Sequence, residues 1–244
     1  SIPQEAVGEV VAGTTAERKF LLYNVLGQRL AWRCSTEGPA WLTAVGGVCS
    51  GIAAVQEAAE FSLMISAPET VPDDTLLHTG TLESWESADA GTDAEPGEAA
   101  TFDLDVQFRI TVVPGEMDAA QSDFVWETPV EAGDPMAVDV MPRDQHGNDI
   151  STAGLSFTMT LSTTGGATER EEISRFDPDE ARYRIEVAEM PVQGHYEMAV
   201  TFSGEDGQAV AIQKDGADSA AVAVDAKTCA DGSLSAIGIC LDCG

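Results

Sequence analysis

Apolar and polar residues alternate along most of this chain. The clearest run holds Phe102, Leu104, Val106, Phe108, Ile110 and Val112, six apolar residues at even positions separated by Asp103, Asp105, Gln107, Arg109 and Thr111. A period of two places one set on each face of an extended strand, so the pattern predicts a strand with one buried and one wet face. Shorter runs repeat it at Phe61/Leu63/Ile65, Phe157/Met159/Leu161, Tyr183/Ile185/Val187 and Tyr196/Met198/Val200/Phe202. Turn formers punctuate them, among them Asp73-Asp74, Gly147-Asn148-Asp149, Gly165-Gly166 and Asp177-Pro178-Asp179. Strands of this length at this spacing predict antiparallel β-sandwiches. One stretch runs against the pattern: residues 52–60 are rich in helix formers, and we read them as a loop with at most one helical turn.

The 244 residues suffice for two domains, each with its own core. The long strand closes at Val113-Pro114-Gly115, and a small polar stretch follows before a new strand opens at Phe124-Val125-Trp126. We therefore expect a first domain at residues 1–115, a second at 120–226, and a cysteine-bearing tail at 227–244. Residues 87–100, rich in Gly, Ala, Asp and Glu, read as an acidic insertion inside the first domain.

Charge narrows the partners. Twelve Lys and Arg stand against 42 Asp and Glu, a formal net charge of −30. Both halves share it, since the first 116 residues hold five cations against eighteen acids. Such a field repels nucleic-acid phosphates and anionic lipid heads. No apolar run approaches the ~18 residues of a helical membrane span, so this segment is expected to contact neither nucleic acid nor membrane. The acids read mainly as a solubilising surface. The weaker alternative is calcium held by Glu116 and Asp118 with turn residues such as Asp177 or Asp179; otherwise no cofactor is expected.

Five cysteines set the compartment. Cys34 and Cys49 read as an intradomain disulfide, and Cys229, Cys240 and Cys243 crowd a tail too poor in apolar residues to build a core. From spacing, Cys229 is expected to bond Cys240, which leaves Cys243 for a partner beyond Gly244. That pattern belongs to oxidising surroundings and to a piece of a longer extracellular or cell-surface chain. Catalytic motifs do not stand up. Gly47-Val48-Cys49-Ser50-Gly51 has the shape of a hydrolase elbow but lacks the α/β sheet such an elbow needs. Cys240 and Cys243 lack the ligands of a zinc site. His78, His146 and His195 are scattered. The turn from Asp144 to Asp149 lacks the glycine and glutamate placement of a calcium loop and reads as a strand connection. We expect no enzyme and no metal site.

Resemblances add to this reading. An aliphatic strand from Pro135 ends in Asp144-Gln145-His146-Gly147-Asn148, and a later strand opens with Gly194-His195-Tyr196; residues 120–226 resemble a filamin-type immunoglobulin repeat. Phe20 to Val25, Gly27, Leu30-Ala31-Trp32 and Trp41-Leu42 are similar to a bacterial-type immunoglobulin-like surface module. Cys229-Ala230-Asp231-Gly232 with Ser235, then Cys240 and Cys243, is similar to the opening of an ephrin-receptor-like cysteine repeat, with Leu234 where an aromatic is usual. The resemblance implies two tandem immunoglobulin-like sandwiches in an adhesive or structural spacer of a large surface protein or filament. The alternative is a ligand-binding ectodomain module that takes glycans or calcium-bridged protein partners.

Overall fold

The computed structural model describes residues 4–25, 27–34, 39–45, 50–86, 101–204, 208–230 and 233–240. The chain divides into two compact units, Ser1–Pro114 and Gly115–Gly244. Both are immunoglobulin-like β-sandwiches, and the described residues contain no α-helix.

The first unit contributes β1 (Gln4–Val11), β2 (Thr15–Tyr23), β3 (Leu30–Cys34), β4 (Leu42–Ala44), β5 (Ser50–Ala53), β6 (Ala58–Ser66), β7 (Leu76–Glu86) and β8 (Thr101–Val113). One sheet runs β1-β8-β7-β3-β5 and the other β2-β6-β4. β1 lies parallel to β8 over eight residue pairs, from Gln4↔Val106 to Val11↔Val113. The alternation of β8 has the expected sense where side chains are described: Phe108, Ile110 and Val112 are buried, and Gln107 and Arg109 are exposed. Phe20 stacks on Phe61 at 5.4 Å and meets Phe108 edge-on at 5.7 Å, and Trp32 lies 5.2 Å from Phe61. Full burial of such a ring, as at Trp32 and Phe108, contributes about 1.5–3 kcal/mol, and half-buried Phe20 and Phe61 contribute less.

Residues 52–60 depart from the sequence reading. They are the end of β5, a tight turn with Gln56 at positive φ, and the start of β6. Helix propensity yields here because Ala53 is needed in the core and Ala59 packs beside it, opposite Leu22 across the strand pair.

The second unit contributes β9 (Asp123–Trp126), β10 (Val130–Glu131), β11 (Met136–Met141), β12 (Phe157–Thr163), β13 (Thr168–Ile173), β14 (Arg175–Asp177), β15 (Arg182–Val187), β16 (Gly194–Ser203), β17 (Ala209–Ala211) and β18 (Ala220–Asp225). One sheet runs β14-β15-β11-β9; the other runs β10-β18-β16-β12-β13, with β17 also on β16. A cis Thr128–Pro129 peptide lies where the chain passes from β9 in one sheet to β10 in the other. The core is continuous: Phe124, Val138, Val140, Phe157, Met159, Leu161, Ile185 and Met198 have no solvent exposure. Beyond β18 the tail forms a small hairpin, β19 (Lys227–Thr228) with β20 (Leu234–Ser235).

Candidate functional site

Three features of the second unit carry specific polar chemistry, and each grows from a short local sequence. The first is the turn after β11. Asp144 is completely buried, yet its carboxylate accepts four kinds of N–H bond. Gly115 N donates at 2.8 Å, His146 N at 2.9 Å and Asn148 N at 3.0 Å, while Asn148 Nδ2 donates to both oxygens at 3.1 and 2.9 Å. Burial alone raises a carboxyl pKa, but here the donors outweigh it, the Asn148 side chain first, and hold Asp144 at about 2. Gly147 supplies the positive φ that bends the turn back. The oxygens a cation would need are thus taken by amide donors, and Asp144 acts as the anchor of the chain entering the unit at Gly115.

Buried Asn24 plays a similar part in the first unit. Its Nδ2 lies 2.7 Å from Gln28 O, 2.9 Å from Ala54 O and 3.1 Å from Ala53 O, tying the end of β2 to the β5 turn. Asn24 and Asn148 are the only asparagines in the sequence, and both are buried at turns.

The second feature is the docked tail. Cys229 and Cys240 form a disulfide with their Cα atoms 5.5 Å apart, joining the pair expected from spacing. The hairpin is also fixed to the sandwich. Lys227 Nζ reaches Asp134 Oδ1 at 2.5 Å, and Gln193 N donates to Ala236 O at 2.6 Å. The hydrogen bond to Asp134 raises the Lys227 pKa. Gly238 lies so close to Ala132 and Gly133 that a Cβ there would stand 2.5 Å from Ala132 O, and its φ is +73°. Only glycine fits at that contact. Cys49, Cys243 and the side chain of Cys34 lie outside the described residues, as do the acidic residues 87–100.

The third feature is on the solvent face of the β14-β15-β11-β9 sheet. Asp139 on β11 stands opposite Arg184 on β15, which forks onto both carboxylate oxygens at 2.8 and 3.3 Å; Arg182 Nη1 adds a bond at 2.7 Å. Arg182 also pairs with Glu180. Bonding to Asp139 raises the Arg184 pKa. Beside this cluster lie two shallow grooves of about 630 and 640 Å³ that share Glu127, Pro135, Met136, Ala137 and Arg184. The first also touches Glu131 and Asp134, next to the tail contact.

Other residues singled out by sequence occupy structural positions. Trp32 is buried, and half-buried Trp41 meets His78 edge-on at 6.3 Å; His78 in turn stacks over Phe108 at 6.4 Å. His195 is exposed beside buried Tyr196, whose hydroxyl donates to Val192 O at 2.8 Å. That bond pins the loop ahead of β16 to the strand's start, the tyrosine-corner device of immunoglobulin-type sandwiches. Asp118 Oδ1 accepts from Ala120 N, and Asp177 Oδ1 accepts from Asp179 N and Glu180 N, so each acid caps its own turn. Among the described residues, no three His, Cys, Asp or Glu side chains gather in a metal-binding group. Asp139 with its arginines, and Lys227 with Asp134, went unrecognised in the sequence. An Arg-x-Arg on one strand is visible there, but the carboxylate it meets depends on pairing register.

No protein-family profile matches this chain, and no curated protein matches it. Among solved structures it is similar to the Escherichia coli adhesin FdeC, at 19% identity and a TM-score of 0.40 over 88% of this chain and 66% of that one. It is also similar to the YadV chaperone, at 9% identity and a TM-score of 0.33 over 86% and 94%. A marsupial T cell receptor matches at 12% identity and a TM-score of 0.32 over 92% and 72%. At these values the likenesses carry no argument about function, and the fold assignment stands on the strand pairing itself.

Proposed function

We propose that this chain is a non-catalytic spacer segment of a large extracellular or cell-surface protein, structural or adhesive in role. Its two immunoglobulin-like modules, the second resembling a filamin-type repeat, hold neighbouring modules apart, and the tail opens a cysteine-rich repeat. The observation that carries this reading is the tail. A disulfide-closed hairpin is clamped to the sandwich by Lys227–Asp134 and by Gly238 against Ala132, so residues 227–230 and 233–240 hold a fixed place on the second module. Such a disulfide persists only in an oxidising compartment. The partners on this reading are other modules of the same chain and further surface proteins. Gold-labelled antibody against this chain, applied to intact cells of the source organism and imaged by electron microscopy, tests it. Regularly spaced label on the outer surface or on surface filaments is expected, and label confined to the cell interior would refute it.

One observation favours a second reading, a ligand-binding ectodomain module. The paired grooves beside Arg184 offer a cation, carboxylates and the apolar surface of Pro135 and Met136 in one place. Binding in a glycan array that Arg184→Ala abolishes would support this reading over the spacer.

A further inference from the structure

The two units close their sheets differently. In the second unit β9 pairs antiparallel with β11 and covers its edge, so that inward-facing Val138 and Val140 are wholly buried. In the first unit the initial strand goes to the other sheet, where β1 pairs with β8 along its whole length. Among the described residues, β2 therefore has a strand on one side only, β6. Its inward-facing Phe20 and Leu22 remain only half-buried.

Hydrogen bonds at the two ends of the β2–β6 pair fix which residues face the open side. Ala67 N donates to Thr14 O at 2.9 Å and Asn24 N donates to Glu57 O at 3.0 Å, both continuing the register that runs from Thr15↔Ser66 to Tyr23↔Ala58. Even-numbered residues thus direct their backbone groups to β6. Odd-numbered residues, Thr15, Glu17, Lys19, Leu21 and Tyr23, direct theirs outward. On the solvent face of this same edge Leu21 is 51% exposed and Tyr23 66%, an apolar pair beside unpaired backbone. An edge of that kind is a template for another strand.

We propose that this edge is a self-association surface, where β2 of a second copy of this chain joins antiparallel with Phe20 facing the second copy's Phe20. Charge leaves this edge open to a second copy and narrows the register. Overlap completes the choice, because of the registers that oppose no like charges the one centred on Phe20 keeps the longest paired stretch, Glu17 to Tyr23. A chain of −30 repels its own copies over most of its surface, yet at this edge Glu17 is balanced by Arg18, and Lys19 by Glu60 at 2.8 Å. A second copy can approach here without apposing two acidic surfaces. Registers centred on Glu17, Arg18 or Lys19 set a like charge against itself, which is destabilising. Centring on Phe20 sets Lys19 against Leu21, Glu17 against Tyr23 and Arg18 against Leu22. No like charges stand directly opposite one another, and both exposed apolar residues are covered by side-chain stems. The odd-numbered residues then exchange backbone bonds, and two three-stranded sheets become one of six strands. This contact is independent of the spacer reading, since it concerns how the chain pairs with itself.

Sedimentation equilibrium of the 244-residue chain at about 0.15 M salt, where the Debye length is about 8 Å, is the test. Wild type is expected to show a reversible monomer–dimer equilibrium. Leu21→Lys places a cation opposite Lys19 and is expected to weaken dimerisation at least about tenfold. Leu21→Glu places an anion opposite the same lysine and is expected to keep the dimer, although it also faces Glu60 across its own strand pair and makes the chain more negative. Leu21→Pro removes an N–H that β6 does not use and is expected to leave a folded monomer by circular dichroism. A wild-type monomer at all concentrations up to about 1 mM overturns the proposal. So does a dimer that survives Leu21→Lys and Leu21→Pro alike, or one that Leu21→Glu weakens and Leu21→Lys strengthens, as net charge alone would dictate.

Discussion

The carboxylate of Asp144 holds the backbone amide of Gly115 at 2.8 Å, so a turn in the middle of the second sandwich secures the residue at which the chain enters it. Residues 29 positions apart are joined through a group with no exposure to water.

Asp144→Ala leaves the amides of Gly115, His146 and Asn148 without their acceptor. Stranding buried donors costs about 1–3 kcal/mol each at most, so a loss of several kcal/mol in the stability of the second unit is expected. Chemical denaturation followed by the fluorescence of Trp126 reads it. A shift under about 0.5 kcal/mol, the range of a neutral surface change, would contradict this account.

Acid titration gives a related expectation. Asp144 has a folded pKa of about 2, below its ordinary value of 3.8. A depressed carboxylate adds stability above the unfolded pKa, here about 2 kcal/mol, and that increment disappears as pH falls from about 4 through 2. Melting curves should show the second unit losing this increment across that interval. The Asp144→Ala protein should lack that portion of the acid dependence.

The two buried tyrosines of the second unit should respond unequally to loss of the hydroxyl. Tyr196 donates one bond, to Val192 O, and Tyr196→Phe is expected to cost about 1 kcal/mol. Tyr183 both donates to Thr152 O at 2.7 Å and accepts from Leu155 N at 3.0 Å. Tyr183→Phe therefore strands a backbone donor and should cost more. Equal losses in urea denaturation would show that the Leu155 amide finds water instead.

Gly238→Ala should release the tail without unfolding the sandwich, because the added Cβ meets backbone atoms of Ala132 and Gly133 that cannot give way. Hydrogen exchange at Gln193, whose amide is held by Ala236 O, is expected to accelerate together with residues 227–240. Protection at Met159 and Met198 in the core should be unchanged. Reduction of Cys229–Cys240 should give the same pattern.

Calcium chelation is expected to leave the melting temperature of the chain unchanged in moderate salt. The carboxylates of Asp118, Asp144 and Asp177 already accept backbone amides of their own turns. Saturable micromolar binding by calorimetry, with a rise in melting temperature, would place a calcium site on residues other than these.

Strand alternation was readable directly, and Phe157/Met159/Leu161 and Tyr183/Ile185/Val187 are buried as their spacing demands. Tertiary need overrode local preference at residues 52–60, where good helix formers complete β5 and β6. The sandwich follows from period and turn chemistry, which are local. The Asp139–Arg184 pair does not, because a one-residue slip between β11 and β15 would separate the two, and register is set by the whole core. The tail contact was hidden for a similar reason: the glycine pair Gly133 and Gly238 signals a close approach only when both are known to meet.

The parallel pairing of β1 with β8 bears on how the first unit meets mechanical load. Because the two strands run the same way, tension between the start of β1 and the end of β8 slides one along the other. All eight residue pairs then resist together instead of opening one after another. In the second unit the matching parallel contact, β10 with β18, holds only Val130↔Val224 and Glu131↔Asp225. Under a steady pull the second unit should yield first, and the first unit should extend only at higher force.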